Sequence, residues 1–155
     1  MQGNYACSPA ASLAAFIRWA LEFLPHHRPW TRTSVRISIR CSYVFSKQAV
    51  CFDGKKAWTK FEKVKFFERE GEKYSLLKVV LKTGRTHQIR VHFSYLGWPL
   101  VGDSVYGGKN DLLNRPFLHS KKIKVTHPNG KKLELEVEIG DDLQLVLEKL
   151  WKRKY

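Results

Sequence analysis

Acidic residues, cysteines and long apolar runs are all scarce in this 155-residue chain, and each scarcity narrows what it can be. Only 14 acids stand against 28 lysines and arginines, a formal charge of +14 at neutral pH with a pI near 9.9. That balance points to a polyanionic partner, nucleic acid foremost; the alternative is a general preference for lysine on solvated faces. The three cysteines, Cys7, Cys41 and Cys51, are odd in number and have no Cys-x-x-Cys spacing. This argues against a disulfide framework or a zinc site and fits a reducing compartment, the cytoplasm. No apolar run reaches the length of a membrane span. Residues 10–24 come nearest, but Arg18 and Glu22 interrupt them. The first residues also lack the cationic start of a secretory signal, so secretion is not expected. There is no internal repeat, and no aspartate before Asp53.

Against these absences, 43% hydrophobic and 13% aromatic residues describe one folded domain with a single core. Its two ends differ in composition. Residues 1–48 hold five arginines (Arg18, Arg28, Arg32, Arg36, Arg40), one lysine (Lys47) and one acid (Glu22), whereas residues 49–155 are rich in lysine. The division is therefore a divergent basic N-terminal segment, 1–48, ahead of a main unit, 49–155. The first is either an arm that grips phosphate or a segment without selected function, such as a gene-model product.

Leu13, Phe16, Ile17, Ala20, Leu21 and Leu24 recur at helical spacing and end at Pro25, which predicts a helix. Residues 34–40 alternate like a half-exposed strand. The adjacent His26 and His27 have no third metal ligand beside them and read as inert. Residues 58–66 and 74–82 are strand-like, with a turn at Gly71. A helix follows, with Thr86 as N-cap and Gly97 as stop. Ile89, Phe93 and Leu96 form its apolar stripe, and His87, Arg90 and Ser94 share another face. Residues 118–126 and 133–139 are strands joined by the turn His127-Pro128-Asn129-Gly130. Asp141 can cap a last helix with Leu143, Val146, Leu147, Leu150 and Trp151 inward and Lys152-Arg153-Lys154 at its end. The fold class is α+β, a mixed and mainly antiparallel sheet with flanking helices.

The densest chemistry lies in Thr83-Gly84-Arg85-Thr86-His87-Gln88-Ile89-Arg90-Val91-His92, followed by Leu96-Gly97-Trp98-Pro99-Leu100-Val101-Gly102-Asp103 and Tyr106-Gly107. A strand, a glycine turn and a helix start bearing Arg85, His87 and Gln88 make a ready anion site, with backbone N–H groups and guanidiniums as donors. The alternative is that Arg90 pairs with an internal carboxylate and the histidines satisfy core hydrogen bonds.

These residues resemble the signature of the RluA-like RNA pseudouridine synthases. The resemblance runs from about Ala49 to Tyr155 and includes Asp53-Gly54-Lys55, Tyr74-Ser75-Leu76-Leu77, Leu118-His119-Ser120 and His127-Pro128. It implies a sheet with flanking helices around an RNA cleft, resembling the C-terminal half of the catalytic domain. It implies conversion of uridine to pseudouridine in rRNA or tRNA, without cofactor or metal. By the same resemblance Arg90 matches the arginine that pairs with the catalytic aspartate. Arg85, His87 and Gln88 match neighbouring positions that shape the cleft and contact RNA, and Asp103 matches a structural turn rather than a nucleophile.

The family's His-Arg-Leu-Asp motif is absent, as is the tyrosine that packs on the base. The nearest text, His27-Arg28-Pro29-Trp30-Thr31-Arg32-Thr33-Ser34, contains no acid. Arg90 is thus expected to be a clamp without its carboxylate, in a cleft open to water or holding an anion. The sequence reads first as a truncated family member, inactive as this chain alone. The alternatives are a non-catalytic RNA-binding module and one half of a split synthase. Missing sheet would leave an exposed edge, favouring self-association or a partner chain.

Overall fold

A computed structural model describes residues 12–19, 33–41 and 47–151. The readings placed on His26 and His27, on residues 20–32 generally, and on Lys152 to Lys154 lie outside the described residues. One seven-stranded sheet, in the order β3-β2-β4-β5-β1-β6-β7, organises the remainder. Its strands are β1 (Ser12–Trp19), β2 (Thr33–Cys41), β3 (Gln48–Val50), β4 (Lys55–Arg69), β5 (Glu72–Leu81), β6 (Leu118–Thr126) and β7 (Lys132–Glu136). Every neighbouring pair is antiparallel. Two helices, α1 (Gln88–Tyr95) and α2 (Asp141–Trp151), flank it, so the architecture is α+β as expected.

Residues 13–19 are a strand, not the helix that their spacing predicts. β1 is hydrogen-bonded on both edges, with Ala15 opposite Leu77 of β5 and Leu118 of β6. A short apolar run in mid-sheet carries no clean period of two, so periodicity cannot separate it from a helix; the neighbouring strands decide.

β4 and β5 meet in a two-residue hairpin turn, where Glu70 (φ 53) and Gly71 (φ 77) both have positive φ. That geometry matches the right-handed twist of the flanking strands. Along β5, Leu77 and Val79 join Phe61, Ile89, Phe93, Trp98 and Leu100 in one buried cluster. Tyr74 joins Phe67, Val101, Phe117, Leu143, Val146 and Leu150 in another, with Leu76 packed against it. Successive strand side chains point to opposite faces, so α1 and α2 cover opposite sides of the sheet. A bulge between Lys63 and Lys65 shifts the register of β4, which carries Phe61 to the α1 side and Phe67 to the α2 side.

On α1, Ile89 and Phe93 are buried and Leu96 packs against their cluster, the predicted stripe. The helix ends on a Schellman motif: the Gly97 N–H (φ 77 at this residue) donates to the Ser94 carbonyl at 3.0 Å, and the Trp98 N–H to Phe93 at 2.8 Å. Its N-cap is His87, not Thr86. In α2, Leu143, Val146 and Leu150 are buried but Trp151 is exposed, correcting its inward placement. Asp141 is already helical, and the Gly140 carbonyl accepts the first bonds.

Candidate functional site

Gln88 organises the turn between β5 and α1. Its Oε1 accepts from the Thr83 hydroxyl at 2.8 Å and the Arg85 N–H at 3.0 Å. Its Nε2 donates to the Trp58 carbonyl at 3.1 Å and the Thr59 hydroxyl at 2.9 Å. Thr83 Oγ1 in turn accepts the Trp58 N–H at 2.8 Å. Gln88 is buried, and its amide is spent inside the protein. Its hydrogen bonds tie the β5–α1 turn to β4. His92, also buried, shares a 2.9 Å hydrogen bond with Thr59, so it is a core histidine.

The second stripe of α1 converges on Tyr106 and Asp103. His87 takes a left-handed conformation, φ 53, without a side-chain cap, and its Nδ1 lies 2.9 Å from the Tyr106 hydroxyl. Ser94 Oγ donates to the Tyr106 carbonyl at 2.8 Å. Between them Arg90 forms a fork: Nε and Nη2 donate to Asp103 Oδ2 and Oδ1, both at 2.7 Å. Its guanidinium carbon stands 4.7 Å from the Tyr106 ring centroid.

This pairing corrects the expectation of a clamp without a carboxylate. Arg90 has an internal partner thirteen residues downstream, within the same signature, as the alternative reading allowed. Asp103 holds the Arg90 pKa above its ordinary value, chiefly through these hydrogen bonds. The Asp103 side chain is fully buried (0% exposed) against 17% for Arg90, and it also accepts from the Tyr106 N–H to open a 3-10 turn (Ser104–Tyr106). A buried carboxylate with both oxygens engaged is not an available nucleophile.

Two glycines make room for this turn. A Cβ on Gly102 would stand 2.0 Å from the Arg115 carbonyl oxygen, and one on Gly108 would stand 2.0 Å from that of Leu100. Their backbones close the loop, Gly102 N–H donating to Lys109 at 2.8 Å and Gly108 N–H to Asp103 at 2.7 Å.

Around the lock lie exposed cations. Arg85 is exposed and reaches the Lys56 carbonyl at 3.3 Å; among the described residues it makes no ion pair. The Lys47 ammonium sits 5.3 Å from the Tyr106 ring centroid. His87 is exposed, and its pKa is lowered by partial burial first and by the Arg90 charge second, with Asp103 opposing. The arrangement can bind oxyanions or nucleic acid, but among the described residues it offers no accessible carboxylate for covalent chemistry. His87 and Arg90 come together at Tyr106, whereas the Arg85 side chain turns to the Lys56 carbonyl. Tyr106, the meeting point of His87 and Arg90, is legible in the sequence only as the Tyr-Gly that ends the signature.

A family model described as RNA pseudouridylate synthase matches residues 26–95, reaching into the segment set apart by its composition. An uncharacterised RNA pseudouridine synthase of Chloroflexus aurantiacus is 44% identical over 110 residues, covering 69% of this chain and 34% of that protein. The ribosomal large subunit pseudouridine synthase D of Vibrio parahaemolyticus is 35% identical over 114 residues, covering 64% and 34%. The chain thus spans about a third of the length of these relatives. In fold it is similar to human RNA pseudouridylate synthase domain containing 1, with a TM-score of 0.68 at 23% identity over 84% of this chain and 54% of that one. Signature, sheet and relatives agree: the chain belongs to the RNA pseudouridine synthase family.

Proposed function

We propose that the chain carries the RNA-cleft portion of an RluA-like synthase, and that alone it binds rRNA or tRNA in the cytoplasm without isomerising uridine. The observation that carries this reading is the Arg90–Asp103 lock. The arginine that should hold a catalytic aspartate is already committed to a buried one, and no aspartate precedes Asp53. A clamp remains where a reacting carboxylate is needed within bonding reach. The exposed Arg85, Lys47 and Lys56 beside it support phosphate contact. The cysteine pattern supports the cytoplasmic setting. Among the described residues no helix is long and apolar enough to cross a membrane.

The test is to incubate the purified chain with rRNA or tRNA and map pseudouridine chemically. No product is expected, together with RNA binding that weakens steeply as salt rises, because lysine and arginine contacts release counterions. Product formation that is lost on Arg90→Ala would overturn the inactive reading. A flat salt response would remove RNA as the partner.

A split synthase is favoured by one feature, the β6–β7 hairpin. On one side Lys121, Lys122 and Lys124 ladder with Glu134 and Glu136. On the other, Ile123 and Val125 pair with Leu135 and Leu133, and both leucines are exposed. An apolar row on the last strand of a sheet supports a partner chain or self-association.

A further inference from the structure

Tyr106 ties four parts of the fold to the site. Its N–H donates to the Asp103 carbonyl at 3.1 Å, and its own carbonyl accepts from Ser94 of α1 at 2.8 Å. Its hydroxyl accepts the Gln48 N–H of β3 at 2.9 Å and lies 2.9 Å from His87 Nδ1. The ring carries Arg90 at 4.7 Å and Lys47 at 5.3 Å, and the residue is 5% exposed.

A phenol hydroxyl has one hydrogen to give. With Gln48 donating to the oxygen, the one acceptor that the hydroxyl hydrogen can reach among the described residues is His87 Nδ1; the arrangement that uses this hydrogen makes Nδ1 the acceptor and leaves the imidazole proton on Nε2. The groups about the imidazole are the Tyr106 hydroxyl with the Gln48 N–H of β3 behind it, Arg90 from α1, and Asp103 at the start of the 3-10 turn; the Lys47 ammonium, just ahead of β3, stands over the Tyr106 ring. Partial burial and the Arg90 charge both oppose a second proton, and the single carboxylate, Asp103, is bound to Arg90. A second proton on His87 is therefore disfavoured, in keeping with its lowered pKa. The left-handed backbone at His87 is a local strain of the kind retained where a side chain must be held in one place.

We infer that Tyr106 is a positioning residue: it fixes His87 as the neutral Nε2–H tautomer while its ring supports the Arg90 guanidinium, so that the site presents His87 Nε2–H as an uncharged donor to an acceptor oxygen of bound RNA. The donor's target rests on the function proposed above; the tautomer does not.

Long-range proton–nitrogen NMR on protein labelled at histidine nitrogen tests both parts. Wild type should show His87 Nδ1 as pyridine-like and Nε2 as pyrrole-like, titrating below an ordinary histidine. Tyr106→Phe, which keeps the ring and removes only the hydroxyl, should give a mixed tautomer pattern and raise the midpoint. A uridine-containing RNA oligonucleotide should shift the Nε2 resonance of wild type. A protonated Nδ1 in wild type, or an unchanged tautomer and midpoint in Tyr106→Phe, overturns the positioning role. RNA that binds without moving Nε2 overturns the donor role. RNA that does not bind at all overturns the proposed function and, with it, the donor's target, while the tautomer stands or falls on its own spectra.

Discussion

Arg90 and Asp103 are joined by two 2.7 Å hydrogen bonds in a fork, the arginine on α1 and the aspartate in the loop that follows it. The carboxylate is the more deeply buried partner, fully so against 17% exposure for the arginine. Removing Arg90 should therefore hurt more than removing Asp103, because it strands the buried charge. Arg90→Leu is expected to cost about 3–5 kcal/mol and Asp103→Asn less. Urea denaturation of both variants measures the difference. Equal losses would show that burial does not set the order.

The two classes of glycine separate clash from backbone strain. Gly97 and Gly102 both have φ 77, but a Cβ at Gly97 meets nothing within 4 Å, whereas at Gly102 it meets two backbone carbonyls. Gly97→Ala should cost about 1 kcal/mol from the left-handed backbone alone. Gly102→Ala adds a backbone collision and should exceed it by about 2 kcal/mol or more. Thermal melts of the pair check the gap.

Glu70 is the one non-glycine in the β4–β5 turn, at φ 53. Asparagine tolerates that conformation better. Glu70→Asn should raise stability by about 0.5–1 kcal/mol, since the exposed ion pair it gives up, Glu70 to Arg69 at 3.2 Å, contributes little. A lower melting temperature would mean that the pair matters more than the turn.

The lowered His87 pKa sets the sign of its pH effect. The unfolded chain takes up the proton near the ordinary value of 6.5, and the folded site only at lower pH. The stability linked to His87 is thus fully present above 6.5 and is lost as pH falls through the folded value. Urea midpoints between neutral and mildly acidic pH should fall more in wild type than in His87→Gln. Because the other histidines are common to both proteins, parallel lines would sink the prediction.

Leu135 lies exposed in the apolar row of the β6–β7 hairpin. Sedimentation of the full chain should show concentration-dependent association, reduced by Leu135→Glu with the melting temperature unchanged. Monomeric wild type at all concentrations would leave that face to a different polypeptide or to none.

Much of this molecule is legible without coordinates. The antiparallel hairpins follow from alternation and turn residues: Gly71 ends one pair, and Asn129-Gly130 the other, with φ 83 at Gly130. The stripe Ile89, Phe93, Leu96 follows from helical spacing, and the signature names the family. Pattern and structure part where one stretch of chain satisfies two patterns. The apolar run of β1 fits a helix as well as a doubly paired strand, and the hydrogen-bonding neighbours on both sides resolve it. At α1, the expected Thr86 cap gave way to His87, whose φ of 53 turns the imidazole to Tyr106.

By itself the sequence determined the charge, the two hairpins closed at Gly71 and Gly130, and the signature, because composition, turn residues and short-range alternation are local properties. The partner of Arg90 was decided only in three dimensions. Asp103 reads as one acid in a turn until Gly102 and Gly108 let the backbone close tightly enough to bury its carboxylate against the guanidinium. A charge that deep must be paired, and only the closed loop brings the two groups together.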